Sequence, residues 1–446
     1  MAYRSGLRKY VRVAKSGLTG QGTNAMNQQR PRSRIGERHK AFSLVKTTME
    51  GCSPIPPHVP QNRVFDFDIH GDHRIDEDVQ GSYAQILRDA PDVFWTPRNG
   101  GHWMVCRYET IFDIVTDPEH FSSREMQIPR APSRAIMIPL NLDPPDNLPY
   151  RKVLKPRFSP KSILEMEPKL RRWALELIDE VVEKGECDFI HDIAARYPVS
   201  VFMDMMGFPQ SMLQEFRSIT ERYFAARTPQ DRGKADPLIT EIMTDLIELR
   251  KREPSDDLVS HLITAQIDGR RMVFGELLSM CVLLFLGGMD TVTHVIGFAF
   301  QYLAQDPALQ DRLAAHPELI PQFVEEALRL YAVVSNPRVV AKDNERFGVS
   351  FRQGDMISCV LAMAGRDDRK NADPNVFDID RPKKHHLTFS AGPHLCIGEH
   401  LARTELRILT EEWLKRIPLF GPASHAKRYL TPANVNTLSS LPLRWV

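Results

Sequence analysis

The stretch that decides the fold is Phe389-Ser-Ala-Gly392-Pro-His-Leu-Cys396-Ile-Gly398, near the C-terminus. It places one cysteine between two glycines, with a phenylalanine seven residues earlier, and it leads directly into a helix-like segment. The glycines allow the backbone to approach something large and flat. Backbone N–H groups and the positive end of the following helix would hold the Cys396 thiolate in its ionised form.

Two interpretations of this cysteine compete. A lone cysteine is usually a small buried hydrophobic residue without chemistry of its own. Alternatively, a thiolate binds a haem iron from one side and donates electron density that favours cleavage of an O–O bond. The second interpretation is favoured because phenylalanine, two glycines, a histidine and the cysteine occur together at fixed spacing.

At these residues the chain resembles the cytochrome P450 family of haem-thiolate monooxygenases. The resemblance implies a mainly α fold with a small β portion, in which one large domain holds haem b between a long central helix and the cysteine loop. It makes Cys396 the axial iron ligand. The other haem-binding residues that it implies are Phe389, Gly392 and Gly398 in the loop, and Arg151, Arg338 and His394 as partners of the haem propionates.

Length and composition fit one large domain. The chain has 446 residues, of which 42% are hydrophobic and 26% charged, and no linker or repeat is visible after about residue 60. The six cysteines are scattered without a C-x-x-C pair, which argues against a zinc ribbon and suits the cytoplasm. No run of 18 apolar residues occurs, so no membrane span is expected.

The first residues differ from the rest in charge. Residues 1–46 contain 11 Lys or Arg and one acid, Glu37, whereas the remainder carries a formal charge of −9. We therefore divide the chain into a basic leader, 1–50, and a monooxygenase domain, 51–446. The leader is interpreted as disordered chain, an organelle transit peptide or sequence before the true start, and its charge would also suit nucleic acid or anionic lipid.

Helical periodicity dominates from about residue 161 to residue 331, and residues 338–361 are typical of short strands. Within the strand region, residues 347–357 predict a hairpin that turns near Gln353-Gly354.

A helix of about 30 residues is predicted over residues 275–307, and its middle reads Gly287-Gly288-Met-Asp290-Thr291. Two glycines cost about 1 kcal/mol each in a helix, and a buried acid and hydroxyl need partners. One interpretation is a close helix–helix crossing with a polar kink. The resemblance implies another, in which the glycines make room for dioxygen, Thr291 hydrogen-bonds it and Asp290 brings protons from water.

Glu326 and Arg329 lie three residues apart in an apolar helical segment, so a buried ion pair is predicted. The resemblance makes this pair structural, and residues 377–382 match the segment that completes its network.

Several segments resemble the bacterial camphor-hydroxylase branch, for example Asn99-Gly-Gly-His-Trp103 and residues 438–445. The tyrosine with which that branch's camphor enzyme binds the camphor ketone is absent, so camphor is not expected as substrate. Mostly aliphatic walls favour a compact terpenoid or norisoprenoid. The pocket residues implied by matched position are Gln127, Met137, Leu140, Leu283, Leu286, Gly287, Val292, Val334, Asn434 and Val435.

The resemblance also implies the partners. Electrons would come from a [2Fe–2S] ferredoxin reduced by a flavoprotein reductase, and the enzyme would act as a monomer without nucleic acid. The candidate docking cations are Arg151, Lys152, Lys155, Lys383 and Lys384. Two alternatives stay open, namely a peroxide-driven haem enzyme and a haem sensor or binding protein without turnover.

Overall fold

The computed structural model describes residues 52–72, 79–130, 136–208, 218–219, 229–423, 430–431 and 435–446. The predicted basic leader lies outside these residues. Helices dominate the described part of the chain and a smaller β portion accompanies them, which confirms the predicted fold class. The helices are α1 (Val79–Asp89), α2 (Tyr108–Thr116), α3 (Leu148–Leu154), α4 (Pro160–Asp179), α5 (Tyr197–Met206), α6 (Pro229–Arg252), α7 (Leu258–Thr264), α8 (Phe274–Leu303), α9 (Pro307–Ala315), α10 (Ile320–Leu330), α11 (Leu361–Gly365) and α12 (Glu399–Arg416).

The described strands form one larger sheet and several small ones. They are β1 (Val93–Thr96), β2 (His102–Val105), β3 (Phe121–Ser122), β4 (Glu186–Asp188), β5 (Gln266–Ile267), β6 (Arg270–Arg271), β7 (Ser335–Val340), β8 (Asn344–Arg346), β9 (Val349–Phe351), β10 (Met356–Val360), β11 (Phe420–Pro422), β12 (Leu430–Thr431), β13 (Thr437–Leu438) and β14 (Pro442–Trp445). The larger sheet has the order β1-β2-β10-β7-β3. Strand β10 runs parallel to β2 and antiparallel to β7, and Ile357 lies opposite Arg338. The sheet therefore fixes the backbone position of one predicted propionate contact.

Helix α8 is the predicted central helix and spans 30 residues, or about 45 Å at 1.5 Å per residue. Its sequence is almost continuously apolar, so it is buried on most sides. At its N-terminus the Glu276 carboxylate accepts the Val273 N–H at 2.8 Å and pairs with Arg270 at 2.7 Å. These contacts satisfy an end that would otherwise leave N–H groups without partners.

Among the helices of the described chain, α8 alone is long and apolar enough to cross a membrane. About 61% of its most apolar window is buried inside the molecule. Length and composition alone are therefore weak evidence for a span, because the core helix of a globular protein meets the same criteria.

The predicted hairpin turn at Gln353-Gly354 is wrong. The two-residue hairpin loop is Phe347-Gly348, which joins β8 to β9 with Arg346 opposite Val349. Both loop residues have positive φ, +54° and +73°, as a type I′ turn requires. Phenylalanine rarely adopts this conformation, so the turn gave no recognisable sequence signal. Residues 352–355 instead form a separate turn that leads into β10.

Aromatic side chains fill the core around α8. The rings of Phe189 and Phe300 stack with centroids 4.2 Å apart, and Trp413 of α12 packs edge-on against both. Rings of this size contribute much of the buried apolar area in a core. The contacts fix α12, which follows the cysteine loop, against the C-terminal half of α8.

A buried ion pair organises the segment between α10 and the cysteine loop. Glu326 and Arg329 have no exposed side-chain surface, and their closest N–O distance is 2.6 Å. Burial alone would raise the pKa of Glu326, but the Arg329 guanidinium and the N–H of Asp378 hold that pKa below its usual value. Arg381, from the predicted network segment, approaches Glu326 at 3.4 Å.

Arg329 also holds three backbone carbonyls. It donates to the carbonyl oxygens of Gly365 at 2.6 Å, Pro374 at 2.7 Å and Val376 at 3.0 Å. A side-chain carbon at Gly365 would lie 1.9 Å from the carbonyl oxygen of Arg329, so only glycine fits there. The pair therefore fixes the path of the chain from α11 towards the cysteine loop.

We expect Glu326→Ala to destabilise the fold by about 3–5 kcal/mol, because it leaves the Arg329 charge buried without a carboxylate. Urea unfolding followed by circular dichroism measures this loss. Asp380→Ala is the matched control, because Asp380 pairs with Arg312 at 2.7 Å on the surface and its loss should change stability little. Equal losses in both variants would contradict the role assigned to the buried pair.

Candidate active site

The cysteine loop is held by backbone contacts on both sides of Cys396. The Cys396 N–H donates to the carbonyl oxygen of Phe389 at 2.9 Å, which closes the loop. Gly392 has φ +64°, and a side-chain carbon there would lie 3.1 Å from Thr116 of α2. The left-handed backbone therefore favours glycine at this position, and Thr116 leaves little room for a side chain.

Cys396 is an exposed residue whose sulfur is nevertheless desolvated by the protein atoms around it. Burial raises the pKa of this thiol, whereas the Gly398 N–H and the Arg151 and Arg403 guanidinium groups act in the opposite direction. The surrounding protein therefore does not hold the thiolate by itself, and a coordinated cation would reverse the balance.

Arg338 is a buried cation that suits an anionic ligand. Its side chain is almost fully buried, and its Nη1 donates to the carbonyl oxygen of Pro337 at 2.7 Å. Within the described chain its buried Nη2 has no hydrogen-bond partner. Burial lowers the pKa of Arg338, which shows that the protein around it compensates the charge incompletely. A carboxylate at Nη2 would supply the missing partner.

The other two predicted propionate contacts lie in the same electrostatic environment. Arg151 donates to the carbonyl oxygen of Leu395 at 2.5 Å, and burial lowers its pKa. Burial also lowers the pKa of His394, and the charges of Arg338 and Arg151 add to that effect. The structure thus brings the three residues within range of one another. Asp143, 3.9 Å from His394 Nε2, opposes this effect, but the two guanidinium groups still leave an excess of positive charge that fits the carboxylates of a haem.

Phe389 lies on the side of the loop near α12. The guanidinium carbon of Arg403 lies 4.5 Å from the centre of its ring. Arg403 also pairs with Glu325 at 2.6 Å and with Glu399 at 2.9 Å. These contacts join the loop, α10 and the first turn of α12.

One face in the middle of α8 is open although much of the helix is buried. Leu283, Gly287 and Thr291 are four residues apart, so they lie along one face. Leu283 and Thr291 are half-buried, and Gly287 is exposed. No atom lies within 4 Å of the place where a side chain on Gly287 would begin, and the Thr291 hydroxyl donates to the Gly287 carbonyl at 3.1 Å.

Gly288 has a different role. A side-chain carbon at this position would lie 2.7 Å from the ring of Phe202 in α5. The close helix–helix crossing considered from sequence is therefore present, but at Gly288 only. Gly287 leaves open space beside α8, whereas Gly288 allows Phe202 of α5 to approach α8 closely.

Asp290 lies one turn before a histidine that the sequence reasoning missed. Its Oδ1 is 2.9 Å from Nε2 of His294, and the Leu438 N–H donates to the other ring nitrogen, Nδ1, at 3.2 Å. The acid and the histidine are both largely buried. The i, i+4 spacing of Asp290 and His294 in an apolar helix was the available signal.

The predicted pocket residues have varied surroundings. Met137 is buried and Leu140 is partly exposed. The Ser279 hydroxyl of α8 donates to the Ile136 carbonyl at 2.5 Å and accepts from the Ile138 N–H at 2.9 Å. These contacts bring this segment to the N-terminal half of α8, near Leu283.

The remaining pocket predictions fall into two groups. Val334 and Val435 form a single β-bridge, so the structure brings them together. Leu286 is buried and Val292 half-buried on α8, and the buried Gln127 donates to the carbonyl of Pro129 at 3.4 Å. Asn434 lies outside the described residues.

In the described part of the chain no group of three or more His, Cys, Asp or Glu residues could hold a metal ion. A haem needs no such cluster, because the porphyrin supplies four iron ligands and the protein one thiolate.

A family model described as Cytochrome P450 matches residues 198–420. The chain is 32% identical over 403 residues to a probable cytochrome P450 127A1 of Sinorhizobium fredii, which covers 88% of this chain and 97% of that protein. It is 33% identical over 345 residues to a steroid C26-monooxygenase of Mycolicibacterium smegmatis, covering 75% and 86%.

Solved structures agree with these relatives. The crystal structure of CYP101J2 aligns with a TM-score of 0.81 at 33% identity, and that of CYP101C1 with 0.82 at 29%. Each alignment covers 88% of this chain and 100% of the other. The chain therefore belongs to the cytochrome P450 family, as a haem-thiolate monooxygenase of the bacterial camphor-hydroxylase-like branch.

Proposed function

We propose that this enzyme hydroxylates a small hydrophobic substrate, a terpenoid or norisoprenoid, with dioxygen and with electrons from a [2Fe–2S] ferredoxin that a flavoprotein reductase reduces. Cys396 would hold the haem iron through its thiolate. Arg151, Arg338 and His394 would hold the haem propionates. The observation that carries the proposal is the open face of α8 at Gly287 and Thr291, in the middle of a helix that is largely buried.

Haem bound through a thiolate supplies the electron density that favours O–O cleavage. The protein's own part is to position protons and exclude water. The Thr291 hydroxyl borders the open space and gives its hydrogen bond to a carbonyl of its own helix, which it can exchange for a ligand. Asp290 lies on the adjoining face of α8 and links this space to the protein interior through His294.

We expect Thr291→Ala to retain haem content and substrate affinity but to divert NADH equivalents into peroxide, because the hydroxyl that positions protons is lost. Coupling should fall several-fold, measured as product and peroxide formed per NADH consumed. Thr291→Ser should retain most coupling. Thr293→Ala is the matched control, because Thr293 makes the same kind of bond to the Met289 carbonyl, at 2.9 Å, on the buried side. Unchanged coupling in Thr291→Ala would contradict the role.

The proposed ferredoxin surface lies next to the cysteine loop. Arg151 joins α3 to the loop through the Leu395 carbonyl. Lys152 and Lys155 follow it on the chain and are exposed. Lys383 is also exposed, whereas the Lys384 ammonium donates to the carbonyl oxygens of Ile379 and Arg381. Exposed cations beside the haem ligand favour docking of an acidic partner.

We expect the double variant Lys152→Glu and Lys155→Glu to slow haem reduction by ferredoxin at least tenfold at low salt, because two attractions become repulsions. Stopped-flow absorbance measures the rate, which should fall with rising salt in the parent enzyme. Reduction by dithionite should not change. The double variant Lys169→Glu and Lys184→Glu, at two exposed positions outside this surface, controls for the same change in net charge. A rate insensitive to salt and to the double variant would exclude this docking mode.

The substrate class follows from the character of the walls. The described pocket predictions are mostly aliphatic, and the amide of Gln127, their polar member, already donates to the Pro129 carbonyl. A compact hydrocarbon with at most one polar group suits such walls.

We expect monoterpenoids and norisoprenoids to shift the haem from low to high spin at micromolar concentrations, because they displace water from an aliphatic site. Camphor should give a weak or partial shift, since no tyrosine is present for its ketone. Absorbance titration of the purified enzyme with a panel of both classes measures this. Tight binding of camphor with a full shift would contradict the substrate assignment.

A further inference from the structure

The contact between Asp290 and His294 has a defined direction. Among the described residues, the imidazole of His294 is the side chain within reach of the Asp290 carboxylate, with Nε2 at 2.9 Å from Oδ1. The Nε2–H bond of His294 does not point along the line between these two atoms, so the contact does not meet strict hydrogen-bond geometry. Catalytic hydrogen bonds are often poorly aligned in an empty site and align when the site fills.

The other nitrogen of the ring fixes its protonation pattern. The N–H of the fully buried Leu438, in β13, donates to Nδ1 at 3.2 Å. A backbone N–H can only donate, so Nδ1 must accept with its lone pair. The proton of neutral His294 is therefore on Nε2, which faces Asp290. The hydrogen bond at Nδ1 thus sets which nitrogen of the ring carries the proton, as in histidines generally.

The two oxygens of Asp290 consequently differ. Oδ1 faces the fixed N–H of His294, whereas Oδ2 is buried and has no partner in the part of the chain that the structure describes. A buried carboxylate oxygen without a partner is costly unless a ligand, water or proton satisfies it.

We propose that His294 is a positioning residue that anchors Oδ1 of Asp290 and leaves Oδ2 as the oxygen that exchanges protons. This inference rests on the proton role proposed for Asp290. Oδ2 accepts one proton from a water molecule that reaches it and then releases one proton to a second water, so Asp290 returns to the carboxylate. His294 keeps its Nε2 proton throughout. The histidine therefore directs the relay without being a member of it.

Two variants separate this role from a purely structural one. His294→Gln keeps a donor near the Nε2 position but loses the acceptor for the Leu438 N–H. His294→Asn keeps an acceptor near the Nδ1 position but loses the donor to Asp290. A structural role depends on the bond to β13, whereas positioning depends on the bond to Asp290.

The test measures coupling of NADH to product, the solvent deuterium isotope effect on product formation, and the melting temperature of the holoenzyme. We expect His294→Asn to lower coupling several-fold and to raise the isotope effect, with the melting temperature close to that of the parent. His294→Gln should keep near-parental coupling even if its melting temperature falls. The opposite pattern, or equal coupling in both variants, would overturn the inference.

A readout independent of turnover is the ¹⁵N NMR spectrum of the histidine-labelled holoenzyme in its diamagnetic ferrous carbon-monoxide form. The ring signals lost in His294→Asn identify this residue. We expect a protonated Nε2 and an unprotonated Nδ1. A protonated Nδ1 would overturn the inference, because Nε2 could then no longer donate.

Asp290→Asn separates failure of the inference from failure of the proposed proton role. If Asp290→Asn leaves coupling unchanged, the proton role of Asp290 is wrong and the inference falls with it. If Asp290→Asn lowers coupling and His294→Asn does not, the inference alone is wrong. When both hold, adding His294→Asn to Asp290→Asn should cause no further loss, because the two residues act as one unit.

Discussion

The buried pair of Glu326 and Arg329 is the contact on which the position of the cysteine loop depends. Two opposite charges in a dry core are stable only when their remaining hydrogen-bonding positions are filled. Arg329 fills its positions with three backbone carbonyls from the last residue of α11 and the segment that follows it. An electrostatic requirement in the core thereby becomes a geometric constraint on the chain that leads to Cys396.

A second constraint acts on α8, with opposite character. The carboxylate of Glu326 and the guanidinium of Arg329 have hydrogen-bond partners at every oxygen and nitrogen, whereas along Leu283, Gly287 and Thr291 the helix leaves space unfilled. Glycine in a helix lowers stability by roughly 0.5–1 kcal/mol relative to alanine. The apolar packing of Phe300, Phe189 and Trp413 offsets that loss farther along the same helix. A local loss of stability that good packing elsewhere offsets is typical of functional sites.

Local signals in the sequence predicted the main features of this molecule. The helical period of α8, the three-residue spacing of Glu326 and Arg329 and the cysteine loop each involve residues close together in the chain. Two features depended on information of another kind. The Phe347-Gly348 turn uses a conformation that phenylalanine rarely adopts, so the register of the strands decides it. The orientation of His294 depends on the backbone of Leu438, 144 residues later, which no spacing rule connects to α8.

The two adjacent glycines of α8 meet two unrelated structural requirements. Side chains added at Gly287 would enter open space, and those at Gly288 would meet the ring of Phe202. The volume available to ligands can therefore change at one position without moving a helix, whereas the neighbouring position fixes the separation of α8 and α5. Substitution of Gly287 alone therefore offers a way to change the size of substrate that this fold accepts.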